Sequence, residues 1–280
     1  MPISPPDREA LAQFDPVFVT DDDLDDLASF TGMTREACLS RLRSYSMAEH
    51  SAAWRRADPR TPDEILAFYT STDLYIWELM QWHASPARAP YWAALRRFVE
   101  TYPPQAGWSR VYDFGCGVGT DALFLASKGY QVTAVDVGGP TLEFARHRSE
   151  RRGLDVTFLE SSSTLPEPPG TFDAIVCFDV FEHLHNPLLA ARLLIAALRQ
   201  GGLILQNGNF SDEGMHPCHL KQSIGHYAGL RWHIQLVVLG LRNVGSMAYK
   251  KVPYHLRLVQ LLRYALWRLT GLWLVEVGRL

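Results

Sequence analysis

Long apolar runs, paired cysteines and a surplus of positive charge are all missing from this 280-residue sequence, and each absence removes a class of function. No stretch reaches the roughly 18–20 uninterrupted apolar residues of a spanning helix, so a transmembrane segment is not expected. The opening MPISPPDREALAQF has no basic region followed by an apolar run. No secretion signal is read there, and the cytoplasm is the expected compartment. The four cysteines, Cys38, Cys116, Cys177 and Cys218, form no CxxC pair, and nothing indicates the oxidising compartment that disulfides need. A formal net charge of −3 argues against a broad phosphate-binding surface, so nucleic acid is not the expected partner. What remains is 47% hydrophobic and 20% charged, enough for one large domain or a domain with a substantial extension.

The texture divides the chain near residue 105. Residues 1–20 read as a loose arm with four prolines, and 21–100 as mostly helical. Thr20 before three aspartates marks one helix start, because acidic groups favour the positive end of the helix dipole. Thr34 opens a second helix, and Thr61-Pro62 a third running through Leu66, Tyr69, Leu74 and Trp77. YPPQAG at 102–107 is a linker by composition. Strands are then expected at 110–114, 131–136, 155–159, 172–178 and 202–207, with helices at 119–128, 140–152 and 187–199. Alternation at this spacing predicts βαβ units and a parallel sheet with helices on both faces. The terminal GLWLVEVGRL alternates like a last strand, while the sixth strand has no clear place. The expected fold is α/β and Rossmann-like, with a mostly parallel seven-stranded sheet in residues 106–280 and a helical N-terminal lid in 1–105.

The densest signal is VYDFGCGVGT at 111–120. A strand ends at Phe114, and Gly115, Gly117 and Gly119 permit a tight turn with close approach of backbone to a ligand. A glycine turn alone is weak, since dinucleotide enzymes place GxGxxG there too. Here Asp113 stands two positions before the first glycine, where it suits a cationic amino group and would repel a pyrophosphate. Asp136, with Val137 beside it, closes the second strand 21 residues after Gly115; its carboxylate can accept two hydrogen bonds from a ribose diol.

Taken with VTAVDV, TFDAIVCFDVFEHL and LRQGGLILQN in order, this segment resembles the class I S-adenosylmethionine-dependent methyltransferases over residues 108–207. The resemblance implies that S-adenosylmethionine binds with its methionine moiety along Gly115 and Gly117 and its ribose on Asp136. Where the family often has an aspartate for the adenine amine, this chain has Ser161 with Glu160 adjacent, and either, or backbone alone, would serve.

Methyl transfer from a sulfonium needs alignment and, for a hydroxyl acceptor, removal of a proton. The candidates follow the fourth strand: Phe178 toward the cofactor, then Asp179, Glu182, His183 and His185. His183 is the expected general base, because imidazole titrates near neutrality. His216 and His219 follow the fifth strand and are expected to overhang the same pocket. Asp179, Glu182, His183 and His219 together resemble in part the ligand set of metal-dependent small-RNA 2′-O-methyltransferases, which implies a divalent metal as an alternative. The rings of Tyr69, Tyr75, Trp77, Trp82, Tyr91 and Trp92 favour a small organic acceptor, and His50 and His83 are within the same lid. The tail carries Arg257, Arg263 and Arg268 among leucines, an amphipathic pattern expected to pack on its own domain or on a twin subunit, giving a homodimer. The leading expectation is therefore methylation of O, N or C on a small metabolite, in a biosynthetic pathway of the natural-product kind. Metal-assisted methylation of an RNA or sugar 2′-hydroxyl is the second reading, and a non-catalytic S-adenosylmethionine-binding protein the third.

Overall fold

Residues 19–162, 165–210 and 218–253 are described by the computed structural model. Eleven α-helices and seven strands make up these residues. Helices α1 (Asp21–Thr31), α2 (Arg35–Ser44), α3 (Met47–Ala57), α4 (Pro62–Ser71), α5 (Leu74–His83) and α6 (Ala89–Thr101) precede the sheet. Then come β1 (Arg110–Phe114), α7 (Thr120–Ser127), β2 (Gln131–Val137), α8 (Pro140–Arg151), β3 (Val156–Ser161), β4 (Phe172–Phe178), α9 (Pro187–Ala197) and β5 (Leu198–Asn207). Helices α10 (Lys221–Tyr227) and α11 (Leu230–Val238) lead to β6 (Leu241–Gly245) and β7 (Ala248–Lys251).

The helix starts follow from their caps. Thr20 accepts from the Asp23 amide and Thr61 from the Glu64 amide, each completing a capping box, and Thr34 caps α2 through Ala37. The helix expected from Thr61 to Trp77 is in fact two. Thr72 adopts extended backbone between α4 and α5, where the Thr-Ser-Thr-Asp run offers side-chain competitors to the helical ladder.

Strand order is β3-β2-β1-β4-β5-β7-β6, parallel from β3 to β5, with β7 antiparallel to both its neighbours. Among the described residues the last two strands lie at 241–251, where no strand was expected. Arg242 and Asn243 are exposed on β6, so this short hairpin carries no sustained apolar alternation. The terminal GLWLVEVGRL and the amphipathic 255–269 stretch lie outside the described residues.

Side-chain alternation decides which helices each face receives. Val111, Ala174, Val176, Leu203 and Leu205 point to one core, shared with Leu95 and Phe98 of α6 and with α7 and α8. Tyr112, Phe114, Ile175, Cys177 and Ile204 point to the other, against α9 and α11. Both faces are buried, which is why the central strands read as continuous apolar runs. Helix α6, although it precedes the linker, packs on the sheet. A third core joins α1, α2 and α5 to Val118 and to Phe144 of α8. There Asp26, fully buried, receives Arg148 Nε at 3.2 Å, Arg151 Nε at 2.8 Å and Arg152 Nε at 2.8 Å, fastening the N-terminal helices to α8. All four cysteines are buried and unpaired. No helix among the described residues is long and apolar enough to cross a membrane.

Candidate active site

Strand order reverses between β1 and β4, and in open α/β sheets a crevice opens there beyond the carboxyl ends of the strands. A cavity of about 700 Å³ occupies that position, its floor made by the ends of β1, β2 and β4 and its roof by α3, α4 and α5. The turn after β1 needs its glycines. At Gly115 φ is +75° and a Cβ would run into the Val180 side chain; at Gly117 φ is +53° and a Cβ would lie 2.6 Å from Leu79 Cδ1 of the roof.

Asp136 pins this turn, accepting from the Gly117 amide at 2.6 Å and from the Val137 amide at 2.7 Å. Burial pushes its carboxyl up to about 6 despite these two hydrogen bonds. Asp113 is buried deeper, and its Oδ2 has no hydrogen-bond partner among the described residues. Its pKa is raised well above the carboxylate range, first by burial and then by neighbouring Asp121, while Arg88 opposes the shift. Asp121 is itself bound by Arg88, whose Nη2 lies 2.5 Å from both carboxylate oxygens. A buried, unpartnered carboxylate oxygen beside a backbone cradle that any Cβ would fill fits a ligand with a cationic amino group. S-adenosylmethionine has one.

Val137, Ser161 and Phe178 also line the cavity. Glu160 does not: its side chain is exposed and lies against Gly138. Phe178 stacks edge-on against Tyr91 at 5.2 Å, and Tyr69, Tyr75 and Trp82 complete an aromatic wall. Trp77 is instead buried in the third core, and Trp92 packs on Phe124.

The loop after β4 forms a short 3₁₀ turn, Phe181–His183. Asp179, at φ +53°, is held by the end of β5 and by α6: its Oδ1 accepts from Tyr91 Oη at 2.9 Å and Asn207 Nδ2 at 2.6 Å. Glu182, His183 and His219 do meet, with their ligating atoms all within 4.8 Å of one another. Asp179 is outside that group. Glu182 is fully buried, neither oxygen closing a hydrogen bond of normal geometry among the described residues, and its pKa is driven well up by burial and by Asp179. His183 Nδ1 lies 3.1 Å from Tyr69 Oη and 3.3 Å from the Cys218 carbonyl oxygen. His83 lines the cavity, held 2.8 Å from Thr120 Oγ1, and burial lowers its pKa well below the usual range. His50 is buried behind the wall, and His185 contacts Gln222 outside it. His216 lies outside the described residues. Sequence reading missed Arg88, Asp121 and Asn207, which act only through partners distant in the chain. Asp121, one residue past the glycine turn, was the available signal.

Residues 112–206 match the family model described as a methyltransferase domain. Ubiquinone biosynthesis O-methyltransferases are similar: that of Vibrio parahaemolyticus is 35% identical over 33% of this chain and 40% of its own length. That of Xanthomonas euvesicatoria is 35% identical over 38% and 44%. The aligned stretch thus spans less than half the length of these curated relatives. Among solved structures, an S-adenosylmethionine-dependent methyltransferase from Clostridium acetobutylicum aligns at 20% identity and TM-score 0.36, covering 40% of this chain and 46% of that one. The stretch from Tyr112 to Gln206 is a class I S-adenosylmethionine-dependent methyltransferase domain.

Proposed function

We propose that this chain is an S-adenosylmethionine-dependent methyltransferase acting on a hydroxyl of a small organic acceptor. The observation that carries the reading is that one cavity is lined both by Asp113, whose Oδ2 is buried without a partner among the described residues, with its glycine cradle, and by His183 and His219. The similarity to O-methyltransferases favours oxygen over nitrogen or carbon as the acceptor atom. When bound, S-adenosylmethionine supplies an electrophilic methyl group with a neutral thioether as leaving group. Asp113 would hold its ammonium, Asp136 its ribose hydroxyls and Ser161 the adenine edge. Tyr69, Tyr75, Trp82, Tyr91 and Phe178 exclude water and sandwich the acceptor. With the proton on Nδ1, that nitrogen donates to the Cys218 carbonyl, which can only accept, or to Tyr69 Oη, which can do either. That puts the lone pair on Nε2, the atom that takes the acceptor's proton.

A second reading uses a divalent metal held by Glu182, His183 and His219, favoured by their convergence and by the full burial of the Glu182 carboxyl. Such a metal would lower the pKa of the acceptor hydroxyl in place of the histidine base. Calorimetric titration with S-adenosylhomocysteine tests the first reading, and no binding would end it. Activity lost to a chelator and restored by one divalent ion assigns the metal; activity indifferent to chelator leaves His183 as the base.

A further inference from the structure

The charged groups of the cavity are sharply unequal. Asp113, Asp121, Asp136, Asp179, Glu78 and Glu182 line it, against two arginines. Arg88 is buried and bound by Asp121. Arg55 is different: it lines the cavity from α3, its side chain is exposed, and among the described residues no carboxylate pairs with it. Met47, Ala48, Ser51 and Arg55 recur at helical spacing, so a single face of α3 is turned to the cavity and ends on this guanidinium. The preceding Trp54 stands 6.3 Å from the Tyr69 ring, and Tyr69 Oη reaches His183, which places α3 beside the reacting side rather than over the glycine turn.

We propose that Arg55 selects acceptors bearing a carboxylate, so that the acceptor class is the hydroxylated aromatic acids. This rests on the methyltransferase reading above. Six aromatic residues around the cavity suit a flat aryl body. A guanidinium binds a carboxylate through two parallel N–H···O bonds, and no other group lining this cavity offers that fork unengaged. Elsewhere the lining is rich in carboxyl groups, and Arg88 is already bound by Asp121, so an anion finds no second guanidinium there. The carboxylate is therefore admitted at one place, which fixes the acceptor's direction and delivers a hydroxyl toward His183.

The test uses the full chain and a panel of mono- and dihydroxylated benzoic and cinnamic acids, each with its methyl ester and its phosphate-bearing analogue. Product formation is followed by mass spectrometry. The expected result is a kcat/KM for acids roughly tenfold above that for esters, falling to about parity in Arg55→Ala through KM, with partial recovery in Arg55→Lys. Esters or phosphates preferred over acids, or a ratio unmoved by Arg55→Ala, overturns the proposal. If no panel member is methylated while S-adenosylhomocysteine binds, the acceptor class is wrong and the methyltransferase reading stands. If S-adenosylhomocysteine does not bind, that reading itself fails.

Discussion

Asp136 offers the sharpest test of the cofactor half, because its chemistry is set by two opposed and visible effects. Burial pushes its carboxyl up to about 6, while the Gly117 and Val137 amides pull it down. Only the ionised form has both oxygens available to accept from ribose hydroxyls while keeping those two amides satisfied. Binding should therefore select the carboxylate. With a pKa of about 6, roughly 97% is ionised at pH 7.5 and about 9% at pH 5, so the apparent Kd should rise about tenfold over that interval. The sign is fixed: affinity is full above the raised pKa and lost as pH falls through it. At pH 6 binding should release about half a proton, measurable by repeating the titration in buffers of different ionisation enthalpy. Asp136→Asn removes the charge and sets an NH₂ against one of the two amide donors. An unpaired hydrogen bond to a charged group costs about 1.5–3 kcal/mol, or roughly 10- to 150-fold in Kd for S-adenosylhomocysteine at pH 7.5. The step near pH 6 should vanish in the variant; any slope left would belong to Asp113, also raised by burial. A variant binding within twofold of wild type, or a wild-type Kd flat from pH 7.5 to 5, would refute the reasoning.

Two further predictions concern the scaffold. Asp26→Ala leaves Arg148, only 2% exposed, without its buried partner, which should cost about 3 kcal/mol and lower the melting temperature by roughly 6–12 °C; an unchanged melting curve in differential scanning fluorimetry would show that the cluster holds nothing. Gly115→Ala faces both a left-handed backbone and the Val180 side chain, so S-adenosylhomocysteine affinity should drop by more than tenfold with the circular dichroism spectrum retained. Adding Val180→Ala should recover part of that loss by removing the clash alone.

The sheet from β1 to β5 was legible in the sequence because both its faces are buried, so apolar runs and glycine turns punctuate each other at regular intervals. Asp113 and Asp136 were legible for a related reason: their positions are fixed by strands, and a strand end needs no distant partner to be located. The hairpin of β6 and β7 escaped because its exposed Arg242 and Asn243 break the alternation on which such reading relies. The expected fourfold set with Asp179 failed on a contact invisible in one dimension. Asn207, at the far end of β5, pairs with Phe178 in register and so meets the next residue, accepting from its amide and donating to its carboxylate.

His219 is the opposite case, a residue that reaches the cavity although nothing local fixes it there. Thirty-five residues separate Cys218 from His183. What joins them is a set of hydrogen bonds between the loop after β4 and the segment entering α10: the Leu220 amide donates to the Glu182 carbonyl at 3.0 Å, and Ser223 Oγ to the Leu184 carbonyl at 2.9 Å. The His183 and His219 rings then meet edge to face at 4.8 Å. These bonds run to main-chain carbonyls, which every sequence has, and so leave no signature in residue types. They also give the histidine pair its rigidity, since both rings sit on segments stitched to each other rather than to solvent. A base needs such a fixed ring to meet a hydroxyl in line, and a metal needs it even more. The same stitching that the sequence hides is therefore what makes either chemistry available to His183.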